Sequence, residues 1–272
     1  MGVEAIKIPA ALAQVLGRAG DRSGVDFDYL VQTAMRESSL NPSARAQTSS
    51  AVGLFQFIES TWLEVMKLDG ERLGYGNYAR VIEQDSSGNY VINNREMRNK
   101  VLALREDPQI SADLAAAFTR RNGEYLSSRF GRTPSPGELY IAHFLGARGA
   151  EQMFAAGLEN PDRIAADIFP RQAEANRAIF YDSSGPRTIR EVYQALVSRH
   201  GQMPVASASR FATVGADGAP LDAPQPRIGP VLQAPRAVSF ENLYNLGQGR
   251  QASPTSVVVD PGGALFVQLY GR

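Results

Sequence analysis

Glu37 is the residue whose type and place best suit acid chemistry. It closes a segment in which Phe27, Leu30, Val31, Ala34 and Met35 recur at helical spacing. At about 100° per residue it falls roughly 80° from the centre of that apolar face, on the shoulder between core and solvent. A carboxyl on such a shoulder is partly stripped of water, and losing water favours the neutral, proton-holding form. A general acid for breaking a glycosidic bond needs that property. The same spacing equally describes a solvated surface glutamate, so position alone does not decide.

Other chemistries are poorly provided for. The 272 residues contain no cysteine, which removes disulfides, thiolate metal sites and a cysteine nucleophile. The two histidines, His143 and His200, are too few for an ordinary zinc hydrolase, so no metal and no cofactor is expected. No Gly-x-Ser-x-Gly elbow accompanies them. Charge balances at 28 basic and 28 acidic residues, which gives no field for nucleic acid or an anionic membrane surface. No apolar run approaches the roughly 20 residues of a membrane span.

The elements that must position Glu37 read as an all-α domain over residues 1–201. A first helix starts at Pro9 and carries Leu12, Val15, Leu16 and Ala19 on one face before Gly20. Asp26 caps the second helix, and Asn41-Pro42 stops it. Ser111 opens a long helix through Leu114, Phe118 and Tyr125 that ends near Gly131. Ser135-Pro136-Gly137-Glu138 has the spacing of a capping box, with Gly146 closing that helix. Asn160-Pro161 starts another, and Thr188 with Glu191 forms a second box before the helix that ends at Gly201. Between Gly70 and Asn94 the helical period is lost. There Ile82-Glu83-Gln84 and Asn89-Tyr90-Val91-Ile92, joined by Asp85-Ser86-Ser87-Gly88, read as a β-hairpin insertion. It could wall a cleft or move freely as a surface loop.

Beyond His200, Gly and Pro supply 17 of 72 residues, a density that marks residues 202–272 as a disordered, Pro/Gly-rich tail. Within it, Val257 to Leu269 could form a lone hairpin. Such a tail either docks to a partner or is simply floppy.

Glu37-Ser38-Ser39-Leu40-Asn41-Pro42, followed by Ala51-Val52-Gly53-Leu54-Phe55-Gln56-Phe57, resembles the signature of the soluble lytic transglycosylases, relatives of goose-type lysozyme. That family carries Glu-Ser, then Asn-Pro, then Gly-Leu-Met-Gln at similar spacing. Asp107-Pro108, Tyr125-Leu126 and Ala142-His143-Phe144-Leu145-Gly146 extend the similarity over roughly residues 10–200, the last in the slot of the family's Ala-Tyr-Asn-Ala-Gly. The resemblance implies a lysozyme-like fold acting on peptidoglycan glycan strands between N-acetylmuramic acid and N-acetylglucosamine. Glu37 would be its single acid and base, with the substrate's acetamido group assisting and a 1,6-anhydro product. Ser38 would hold the site, or merely bond its own backbone. Phe55 stands where the family often has methionine, and Gln56 would either contact glycan or anchor its loop. The tyrosine of the last motif is replaced by His143. Either His143 takes its role, or Tyr140 one turn earlier does, or neither does and His143 is an interior histidine. Glu174 to Tyr181 only loosely echoes a later family segment, and Phe180 and Tyr181 read as core.

The resemblance implies a periplasmic, envelope-located monomer, although Met1 to Leu16 does not read as an export signal. The tail could dock it to an envelope machine. Two rival readings share these residues: a muramidase using water, for which Asp69, Glu71 or Asp85 could supply a second carboxylate, and a wall-binding assembly module without activity.

Overall fold

A computed structural model describes residues 8–47 and 49–201. The proposed tail, with its Val257–Leu269 hairpin, lies outside the described residues.

The first helix, α1 (Ala10–Ser23), buries Leu12, Ala13, Leu16 and Ala19. It runs past Gly20 and ends at Gly24, whose φ of 67° is left-handed. Gly20 marks a close approach instead of an end, because a Cβ there would lie 2.6 Å from the Val25 carbonyl oxygen. Helix α2 (Phe27–Ser38) begins as expected, with the Asp26 carboxylate accepting from the Tyr29 amide at 3.0 Å. Ser39 and Leu40 then turn left-handed, at φ 53° and 64°. Such angles are uncommon without glycine, and they swing the chain away directly after Glu37.

Helix α3 (Glu59–Asp69) buries Trp62, Leu63, Val65 and Met66, and a short α4 (Gly76–Ala79) follows. The insertion is the expected hairpin: β1 (Glu83–Gln84) runs antiparallel to β2 (Tyr90–Val91), with Gln84 opposite Tyr90. At its tip the Asp85 side chain accepts from the amides of Ser87 and Asn89, both at 2.8 Å. Helix α5 (Arg95–Ala103), capped by Asn94, leads through a tight turn into the 23-residue α6 (Pro108–Phe130). Asp107 caps α6, with Pro108 at the first helical position. Ser111, the expected start, is one turn inside and buried.

Helix α7 (Pro136–Glu159) opens on the expected box, in which Ser135 and Glu138 bond each other's backbone amides. Gly146 breaks it at φ 74°, ψ 161°, but the helix resumes at once. Asn160-Pro161 therefore ends a helix where a start was expected. The chain continues through α8 (Ala165–Ile168), α9 (Pro170–Ala175) and α10 (Arg177–Phe180). A second small strand pair, β3 (Tyr181–Asp182) with β4 (Gly185–Pro186), precedes α11 (Ile189–Gly201). Phe180 is buried, as expected, while Tyr181 is half-buried.

Apolar side chains gather in two bodies. One joins α1, α2, the 54–57 loop, α3 and the N-terminal half of α6 around Trp62, Phe55 and Phe57. The other joins the C-terminal end of α6, α7 and the segments up to α11 around Phe154 and Phe180. Helix α6 is long enough to belong to both, at about 1.5 Å of rise per residue. Where the two bodies meet, the end of α2 faces the middle of α6 and the first turns of α7.

Candidate active site

The Glu37 side chain is 1 % exposed. Burying a carboxyl so completely is costly unless polar groups receive it. Two residues one turn apart on α7 approach the same oxygen. The Tyr140 hydroxyl donates to Oε1 at 3.4 Å, a long hydrogen bond, and Nε2 of His143 stands 3.7 Å from that atom. The other oxygen, Oε2, is buried and has no hydrogen-bond partner among the described residues.

Tyr140 is itself fixed on several sides. The Arg36 guanidinium lies over its ring, 4.1 Å from the centroid. The His143 ring stacks on it at 5.9 Å and 21°. Burial, and next the nearby Glu37 charge, push the Tyr140 hydroxyl well above the usual tyrosine range, so it stays a donor at any pH at which the protein is folded. Tyr29, on α2, is raised for the same first reason, with Thr119 of α6 and Thr33 acting against that rise. Asn122 extends the α6 contact, donating to the Ala142 carbonyl of α7 at 3.4 Å. Polar side chains of three helices thus meet at the seam between the two cores.

The loop behind Glu37 is held separately. Ser38 Oγ lies 2.8 Å from the Leu54 carbonyl and 3.0 Å from that of Ala34, so its one proton serves both its own helix and the loop. Gln56, at φ 49° and 2 % exposed, donates through Nε2 to the carbonyls of Ala44 and Gly53. Phe55 is wholly buried in the core. Arg105 fastens the loop from outside, donating to the Ser50, Phe57 and Leu102 carbonyls. Ser38, Phe55 and Gln56 therefore stand in the support of the site, whereas Tyr140 and His143 gather about Glu37.

In front of His143 opens a cleft of roughly 630 Å³. Its walls come from α3 (Thr61, Glu64), α6 (Phe118, Arg121, Asn122, Tyr125), residues 145–149 of α7, and the hairpin, which contributes Gln84, Gly88 and Tyr90. The hairpin is thus a wall. Glu37 lies one residue behind the cleft surface, screened by His143. Sequence spacing did not single out Thr61, Glu64, Arg121 or Arg148. The first three sit on helical faces whose partners only the packing reveals, and Arg148 becomes a lining residue through the Gly146 break.

Carboxylates elsewhere are committed or remote. Asp69 is nearly buried and receives Arg72, Arg120 and Arg121, each at 3.2 Å. Glu71 is 77 % exposed, and Asp85 is occupied by its own turn. Glu64 lines the cleft but pairs with Arg121 at 3.2 Å. No group of three or more His, Asp or Glu side chains among the described residues could hold a metal.

Residues 14–81 match the Transglycosylase SLT domain. This is the soluble lytic transglycosylase type of domain, and it supports a transglycosylase-type function acting on peptidoglycan. The SLT segment begins within α1 and runs just past α4. It contains Glu37, Ser38, Phe55 and Gln56. Tyr140, His143 and most of the cleft wall lie beyond it, on α6, α7 and the hairpin. No described helix is long and apolar enough to cross a membrane.

Proposed function

We propose that the protein is a peptidoglycan lytic transglycosylase in which Glu37 acts first as acid and then as base. The observation that carries this reading is a buried carboxyl held through Oε1 by an α7 hydroxyl, with Oε2 unpartnered, directly behind a cleft. Protonated Glu37 would give its proton to the oxygen linking N-acetylmuramic acid to N-acetylglucosamine as the bond from C1 breaks, the acetamido oxygen supporting C1. The carboxylate would then accept the proton of the C6 hydroxyl as O6 bonds to C1. The acid is regenerated and no water is consumed. Tyr140 would hold Oε1 throughout, and the His143 ring, which lines the cleft beside Glu37, would turn aside so that Oε2 reaches the sugar.

A two-carboxylate glycosidase would need a second ionised group across the bond. The carboxylates already considered for that place are paired with arginines or, for Asp85, held by the amides of its own turn, which favours the single-acid route. The domain as proposed comprises residues 1–201, with 202–272 serving location in the bacterial envelope. Digestion of purified peptidoglycan, with the fragments weighed, tests the reading. Anhydro ends, lighter by one water than reducing ends, are expected. Reducing ends would make the protein a muramidase, and no fragments at all would leave a wall-binding module.

A further inference from the structure

The charges lining the cleft do not balance. Arg121 is spent on Glu64 and Asp69, both at 3.2 Å. Arg129, nearby on α6, is spent on Glu151 at 2.7 Å, and Tyr125 bonds that same carboxylate. Arg148 remains. It lines the cleft, is exposed, and makes no hydrogen bond or ion pair among the described residues, acting on Glu151 only through space. The helix break at Gly146 is what brings it there, since residues 145–149 all face the cleft across the kink. The opposite hairpin wall offers Gln84, Gly88 and Tyr90, which carry no charge. A neutral sugar chain has no use for an unpaired guanidinium, whereas a carboxylate does: the planar fork matches its two oxygens.

We propose that Arg148 is a specificity residue that binds a carboxylate of the peptide stem borne by the glycan strand. The inference rests on the peptidoglycan reading above and adds to it that the cleft senses the peptide as well as the sugar. Cleavage would then favour strands whose peptides keep free carboxylates over strands whose peptides are amidated or removed.

The test measures both binding and cleavage by the full-length chain, with wild type, Arg148→Gln and Arg148→Lys. Three soluble strand preparations serve as probes: peptide-bearing strands, the same strands with their carboxylates chemically amidated, and strands stripped of peptide, in which the lactyl carboxylate on the sugar is freed. Arg148→Gln should weaken binding of peptide-bearing strands roughly three- to tenfold, mainly in Kd and KM, the range for one partly exposed charged contact. Arg148→Lys should recover part of the loss. Amidated strands should bind all three proteins alike. An equal loss on amidated strands would overturn the proposal, and an equal loss on stripped strands would overturn its peptide source in favour of the lactyl group. Because binding is read apart from turnover, a protein that binds as expected but cuts nothing would count against the transglycosylase reading alone.

Discussion

The Tyr140 hydroxyl and Glu37 Oε1 meet at 3.4 Å across 103 positions of sequence. The contact joins the end of α2, which belongs to the first apolar body, to α7, which belongs to the second. The Arg36 guanidinium lies over the same tyrosine ring, 4.1 Å from its centroid, so a cation, a phenol and a carboxyl follow one another across the seam. The two oxygens of Glu37 consequently differ: Oε1 is held, and Oε2 is buried without a hydrogen-bond partner among the described residues.

Replacing Glu37 with glutamine should separate activity from stability. A carboxamide fills the same space without a charge to desolvate, and one of the two carboxyl oxygens has no partner to lose. Turnover on peptidoglycan should fall by about two to four orders of magnitude, the range for loss of a general acid. The melting temperature should hold or rise, as it does when a site is built at the expense of stability. Near-normal turnover in Glu37→Gln would remove this residue from the mechanism.

The two α7 residues should respond differently. Tyr140→Phe removes the hydroxyl that donates to Glu37 Oε1 and leaves the ring in place, so kcat should drop by about one to two orders of magnitude. His143 stands 3.7 Å away, outside hydrogen-bond reach, yet lines the cleft, so His143→Ala should act mainly on KM. Steady-state kinetics of both variants decide the matter. A larger kcat loss in His143→Ala than in Tyr140→Phe would exchange the two roles.

What the sequence revealed and what it hid have physical reasons. Asp26, Asn41-Pro42, Ser135 with Glu138, and the turn at Asp85 act through neighbours within four residues, so their effects could be read without the fold. Glycine misled at Gly20 and Gly146, because the same residue that ends helices also permits a close approach or a break within one. Glu37 was recognisable from its neighbours Ser38 and Asn41-Pro42. Its burial was underestimated, since helical spacing places a residue on a shoulder but does not say that α6 and α7 will close over it. The substitution of His143 for a family tyrosine left two candidates, and the packing of α7 brings both to one oxygen. Arg148 carried no signal at all. Its place depends on a backbone break whose φ and ψ no pattern of side chains encodes.

Gly53 gives a test of the loop that supports the site. Its φ is 88°, and a Cβ would lie 2.0 Å from the Arg105 carbonyl oxygen, which belongs to rigid backbone. Gly53→Ala should therefore destabilise the protein by about 2–4 kcal/mol, combining strain with a forced shift of the loop. Activity should fall further than the loss of folded protein explains, because the Leu54 carbonyl beside it receives Ser38. Gly17→Ala is the control. That helical site has nothing within 4 Å of an added Cβ, and alanine there should stabilise by roughly 0.5–1 kcal/mol. Thermal melts of both variants check the contrast, and a Gly53→Ala protein as stable as wild type would show that the loop yields freely.

The buried tyrosines predict how the fold fails in alkali. Burial raises both Tyr29 and Tyr140 far above their ordinary range, with the Glu37 charge adding to each. In the unfolded chain these phenols would ionise near their reference value of about 10. A group whose folded value is raised contributes stability that is fully present below the unfolded value. That contribution is lost as pH climbs from there toward the folded value. Stability should therefore be insensitive to these two groups below about pH 10 and decline steadily above it. Of the ten tyrosines, the exposed ones should titrate smoothly, while the signal from Tyr29 and Tyr140 should arrive in one step together with loss of helical circular dichroism. Tyr140→Phe should move that step to higher pH by removing one of the groups that must ionise. Smooth ionisation of all ten tyrosines while the helices remain intact would show that the seam between α2, α6 and α7 is open to solvent.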